Sequence, residues 1–144
     1  MWQKQLDDNR FISQLYNEVP ELIDIRILST KLEDEGRKFS IVFVMPKYAD
    51  NPPKKWENLG YNSVLVELNF YDIKELSITA SNKKLSGDIK IELDQTNLLD
   101  ISVSGTLDLS VKADVGIIQT IKGYIDTKGG HNESGVEIFG DRKK

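Results

Sequence analysis

Apolar and polar residues alternate with a period of two along most of this chain, most clearly within residues 56–81. Val64, Val66, Leu68 and Phe70 fall on one side of an extended backbone, and Ser63, Glu67 and Asn69 on the other. Side chains of a strand point alternately to opposite faces, so the spacing predicts a strand with one face buried. The alternation resumes at Leu76, Ile78 and Ala80. That predicts a second strand, joined to the first across Tyr71, Asp72, Ile73 and Lys74 as a hairpin connection.

Further strands are predicted on both sides of this pair. Ile23, Ile25 and Ile27 alternate with Asp24 and Arg26, residues 31–37 form a polar turn, and Phe39, Ile41, Phe43 and Met45 make the return strand. The run 41–45 is apolar on both faces, as in a strand covered on each side. Downstream come Ile89, Ile91 and Leu93, then Leu99, Ile101 and Val103, then Leu107, Leu109 and Val111. Their opposite faces carry Asp88, Lys90, Glu92, Asp100, Ser102, Ser104, Asp108, Ser110 and Lys112, with a turn at 94–97. An unbroken strand over 99–111 would exceed the usual ~3–10 residues. Gly105, which falls in phase, therefore either bends one long strand or marks a tight reversal. Ile117, Ile121 and Ile125 belong to a last strand over 117–126.

Two segments depart from this period. Phe11, Leu15 and Val19 recur at helical spacing, flanked by Ile12 and Tyr16, after the capping candidates Asp7, Asp8 and Asn9. The expected element is a short helix over 10–18, stopped by Pro20 and covering one face of the sheet. Residues 46–55 contain three prolines and are expected to be irregular. The sum is a mainly β fold of about seven to nine strands. It is an antiparallel curved sheet, a sandwich or an open barrel, with one short N-terminal helix. Residues 1–126 form one domain, and 127–144 a polar, glycine-rich C-terminal tail.

At 144 residues the chain can bury a core without cross-links. It has no cysteine, which removes disulfides, thiolate zinc sites and cysteine nucleophiles together. A net charge of −4 with no basic stripe argues against nucleic acid and would favour a basic partner. No apolar run approaches the ~20 residues that span a bilayer, so no membrane role and a cytoplasmic location are expected.

Candidate chemistry is sparse. His131 is the single histidine and lies in the tail, where a general base would lack a held geometry. Residues 33–36 (Glu-Asp-Glu-Gly) lack the ligand spacing of a calcium loop and fit a hairpin tip. Carboxylates on strand faces could form an acid–base pair or hold a hard cation. Their alternation with Lys, Ser and Thr is that of a solvated sheet face. Trp56 and Tyr61 follow the proline loop, and Trp56 is expected to plug one end of the sheet. No catalytic residue, cofactor site or metal site is assigned.

The motif W-x4-Y-N-x-V-L-V-E-L-x-F over 56–70, the L-x-I strand at 76–78, and L-D-L-S-V-K-A-D-V-G-I-I over 107–118 resemble the Imm50-type immunity proteins of bacterial polymorphic toxin systems. The resemblance spans residues 6–126 and implies a small cytoplasmic protein that binds and neutralises a cognate toxin domain without catalysis. The candidate partner-binding surface is the wet sheet face, with Glu67, Asp88, Glu92, Asp100 and Asp108, joined by Asp72 and Glu75 at the predicted hairpin turn. The alternatives are a small apolar-ligand-binding β domain and, behind it, a carboxylate-dependent hydrolase.

Overall fold

A computed structural model describes residues 1–127. Among these, six strands form one antiparallel sheet: β1 (Ile25–Glu33), β2 (Lys38–Val44), β3 (Ser63–Ala80), β4 (Ser86–Leu93), β5 (Leu99–Gly105) and β6 (Leu107–Tyr124). Two short helices accompany them, α1 (Arg10–Leu15) and α2 (Lys54–Asn58). The sheet order is β1-β2-β3-β6-β5-β4, and it curls until β4 meets β1 through Ile25↔Gly87 and Arg26↔Ser86. Backbone bonds from Ile27 N to Leu85 O (3.0 Å) and from Ile89 N to Leu22 O (2.9 Å) extend this narrow seam.

The mainly antiparallel β fold is as the alternation predicts, but six strands replace the expected seven to nine. The segments 63–70 and 76–80 are not a hairpin: they are one strand, β3, paired with β6 from Ser63↔Tyr124 to Ala80↔Leu107. Tyr71, Asp72, Ile73 and Lys74 form a bulged bend. Asp72 takes a φ of 58°, and the register slips between Ile73 and Glu75. An inserted residue increases strand twist and re-aims the residues beyond it, which at the sequence level looks like a turn. β6 likewise merges two predicted strands, with its own slip opposite Glu67 and Leu68.

These bends split the ring into two halves that share β3 and β6. The first comprises β1, β2 and residues 63–71 of β3 with the C-terminal part of β6; the second comprises β4, β5, residues 73–80 of β3 and the N-terminal part of β6. Strands that cross between packed layers through bulges are a known way to turn a sheet corner. Gly105 marks a reversal, since Val103 pairs with Leu109 and Leu99 with Ala113.

Local boundaries also shift. β1 starts at Ile25, leaving Ile23 60% exposed, and continues through Lys31 to Glu33. The turn shrinks to residues 34–36, where Asp34 and Glu35 adopt left-handed angles. α1 ends at Leu15 because Tyr16 is already extended, so the helix is shorter than the expected 10–18. α2 begins in the last two residues of the segment expected to be irregular and runs on to Asn58; Pro53 sits at its N-cap, where the missing N–H costs nothing.

The interior is filled by side chains from both halves. Phe39, Ile41 and Phe43 on β2 face Phe70, Leu68 and Val66 on β3, all essentially inaccessible. The N-terminal segment packs on this inward surface: Trp2 stands edge-on to Phe43 at 6.2 Å and donates its indole N–H to Pro20 O at 3.0 Å. Ile12, Leu15, Tyr16 and Val19 are buried, while Phe11, expected on the same stripe, is 38% exposed. The expectations for residues 128–144, His131 included, lie outside the described residues.

Candidate functional site

The outer surface of the second half is a four-strand face built from three lanes. Glu92 on β4 pairs with Asp100 on β5, Asp100 with Lys112 on β6, and Lys112 with Glu75 on β3. The next lane is Lys90, Ser102, Ser110 and Ser77. The third places Asp88 beside Ser104, and Asp108 beside Thr79. The same strands send Ile89, Val103, Leu109 and Ile78, and in the row above Ile91, Ile101, Val111 and Leu76, to the other side. The period-two sequence thus drives one face into the core and leaves a hydrophilic face outside.

Five of the seven predicted residues meet on this face: Glu75, Asp88, Glu92, Asp100 and Asp108. Glu67 does not. It lies on the outward side of the first half, between Val42 and Thr120, and its Oε1 accepts a 3.4 Å bond from Thr120 Oγ1. There it borders a buried amide, Asn69. With that amide turned so that Nδ2 donates to Ser40 Oγ (2.8 Å) and Glu67 Oε2 (3.1 Å), the group is satisfied. Asp72 also lies apart, at the bulged bend, donating its backbone N–H to Arg37 O.

Sequence reasoning misses the centre of the face. Lys112 Nζ reaches Asp94 Oδ2 at 2.9 Å and Asp100 Oδ2 at 3.5 Å. Asp94 Oδ1 also accepts from Thr96 N (2.7 Å), Thr96 Oγ1 (2.7 Å) and Leu98 N (3.1 Å), closing the β4–β5 turn. The Lys112 hydrogen bond, followed by that of Thr96, holds the Asp94 carboxyl far below the ordinary carboxylate range. The reciprocal bond from Asp94 raises the Lys112 ammonium. The D-x-T spacing at 94–96 is the signal for such a side-chain turn, but the lysine that completes it comes from another strand.

Among the described residues, six carboxylates (Glu75, Asp88, Glu92, Asp94, Asp100 and Asp108) lie on these lanes and the adjoining turn, and Lys90 and Lys112 are the cations of the lanes. Three of them are committed locally: Asp94 and Asp100 share Lys112, and Asp88 Oδ1 accepts the Asp24 backbone N–H at 2.8 Å at the β1–β4 seam. Glu75, Glu92 and Asp108 make no ion pair or side-chain hydrogen bond with the other described residues. Among the described residues, no group of three or more His, Asp or Glu side chains is placed to hold a metal ion.

The loop of residues 46–55 is held to the N-terminal segment. Tyr16 OH donates to Lys47 O at 2.7 Å, Asn51 N to Leu15 O at 2.9 Å, and Asn17 N to Asp50 Oδ2 at 2.9 Å. Trp56 is the plug that the sequence predicts. Its ring contacts Phe11, Tyr48 and Tyr61 at centroid distances of 6.0, 6.4 and 6.2 Å, and rests on β6 where Gly123 leaves room.

Compared with known families, residues 8–124 match the family described as Immunity protein 50. No curated protein and no solved structure matches the chain.

Proposed function

The chain belongs to the Immunity protein 50 family, and from that premise we propose that it neutralises a cognate bacterial toxin domain in the cytoplasm by binding it, without catalysis, through the acidic outer face of β3–β6–β5–β4. The family match supports the toxin-neutralising role. The observation that carries the choice of surface is the convergence on one sheet face of Glu75, Glu92 and Asp108, none of them in an ion pair with another described residue. A toxin that acts on nucleic acid needs basic residues to hold phosphate, and a face of opposite charge accelerates its capture and rejects wrong partners. Phe39, Phe43, Phe70 and Trp2 occupy the interior, which favours the protein-binding reading over the carrier, and the family match favours it over the hydrolase.

The test substitutes Glu75→Lys, Glu92→Lys and Asp108→Lys together. These positions are exposed and unpaired, so the fold is retained. The association rate with the cognate toxin domain should fall roughly 10- to 100-fold at low salt and lose most of its salt dependence. An unchanged rate and salt slope would place the contact elsewhere.

A further inference from the structure

β3 outruns its neighbour. Its pairing with β2 ends at Lys38↔Tyr71, whereas its pairing with β6 continues to Ala80. Beyond Tyr71, among the described residues, one edge of β3 therefore has no strand beside it, and no hydrogen bond from them reaches that edge over 73–80. Ile78 belongs to the inward row yet is 45% exposed, and Ile73 and Leu76 are only half-buried. The segment 76–80 has no proline, glycine or charged residue, and the nearest charged residues, Lys74 and Glu75, sit at the register slip at its start. Long unguarded edges of this kind are templates for strand addition. The edge of β4 is covered over 86–89 by β1 and residues 22–24, and the free part of β1 carries Lys31 and Glu33.

We propose that the 73–80 edge of β3 pairs antiparallel with the same edge of a second copy of this chain, about a two-fold axis at Ser77. The register is self-complementary. Ser77 faces the copy's Ser77, Leu76 faces Ile78 in both directions, Glu75 faces Thr79, and Lys74 faces Ala80. No like charges stand opposite each other, and the half-exposed inward row is covered by its own counterpart. The two Glu75 side chains lie four residues apart along the paired strands, about 13 Å at the strand rise, beyond the ~8 Å screening length of physiological salt. A toxin strand could use the same hydrogen-bonding edge. Lys74 and Glu75 balance within 73–80, so the edge itself carries no net charge, whereas the Leu76/Ile78 match fits a second copy. The result is a continuous eight-strand sheet that displays two acidic faces side by side.

Because the chain has no cysteine, Ser77→Cys supplies a single thiol. Opposed residues of an antiparallel pair have Cα atoms ~4.5–5.5 Å apart, within the ~4.4–6.8 Å that a disulfide spans. Mild oxidation should convert the Ser77→Cys chain to a covalent dimer and leave Ser110→Cys, one strand further in, monomeric. Sedimentation of the full-length wild-type chain should show a two-chain species that grows with concentration, and Ile78→Lys should abolish it while keeping the β circular dichroism and toxin binding. A wild-type chain that stays single at every concentration, or equal cross-linking at both positions, would overturn the proposal. So would an Ile78→Lys chain that loses toxin binding instead of self-association, which would assign the edge to a toxin strand.

Discussion

The ring closes where two glycines face each other, and enlarging one of them should be costly. Gly87 and Gly105 are register partners at the end of β4–β5, beside the two-residue pairing of β4 with β1. A Cβ placed on Gly105 would collide with Ser86 O and sit 2.9 Å from Ser86 C; one on Gly87 would lie 2.7 Å from Ser104 O. The obstructing atoms are backbone, so no side chain can rotate away. The strand must move by roughly an ångström, and overpacking of this kind typically costs about 1–3 kcal/mol. For a domain of this size each kcal/mol lowers Tm by roughly 2–4 °C. Gly105→Ala should therefore melt several degrees below wild type, with the β signature retained. Ser102→Ala, in the centre of the same outer face, should stay within about 0.5 kcal/mol. The assay is thermal unfolding monitored by circular dichroism. A Gly105→Ala chain that melts with wild type would mean that the strands do not approach as closely as the seam requires.

The ion pair and the plug each lead to a further expected outcome. The Asp94 carboxyl is depressed in the folded chain, so its stabilising contribution is complete above the ordinary aspartate value of 3.8 and is lost as pH falls below it. Lys112→Met should accordingly flatten the acid limb of the stability–pH curve, and an unchanged limb in urea titrations would refute the assignment. Trp56→Ala removes the ring that joins α1, α2 and β6, and should cost about 3–5 kcal/mol by urea unfolding; a loss under about 1 kcal/mol would contradict the plug.

Much of the sheet is legible in the sequence because burial on one face imposes a strict period of two. The β2–β3 pairing and the lanes of β4, β5 and β6 reflect it directly. The strand count is not legible. At Asp72 and Lys74 the bulge interrupts the alternation as a turn would, and only the partner strand running past shows that the backbone continues. The acidic face is half legible: its lanes can be read as wet positions, but their lateral order depends on register between strands distant in sequence. For the same reason the alternation alone groups Glu67 with residues on the other half of the ring, and it does not reveal Lys112 as the cation that Asp94 and Asp100 share. α2 is hidden because Pro52 and Pro53 read as loop, although the second of them begins a helix.

Survival of cells producing the cognate toxin domain tests the central claim most directly. Co-production of the wild-type chain should restore growth. The Glu75→Lys, Glu92→Lys, Asp108→Lys chain, present at the same soluble level, should leave the cells unprotected. Equal rescue by both chains would refute the acidic face as the neutralising surface, and no rescue by the wild-type chain would contradict neutralisation of that toxin altogether.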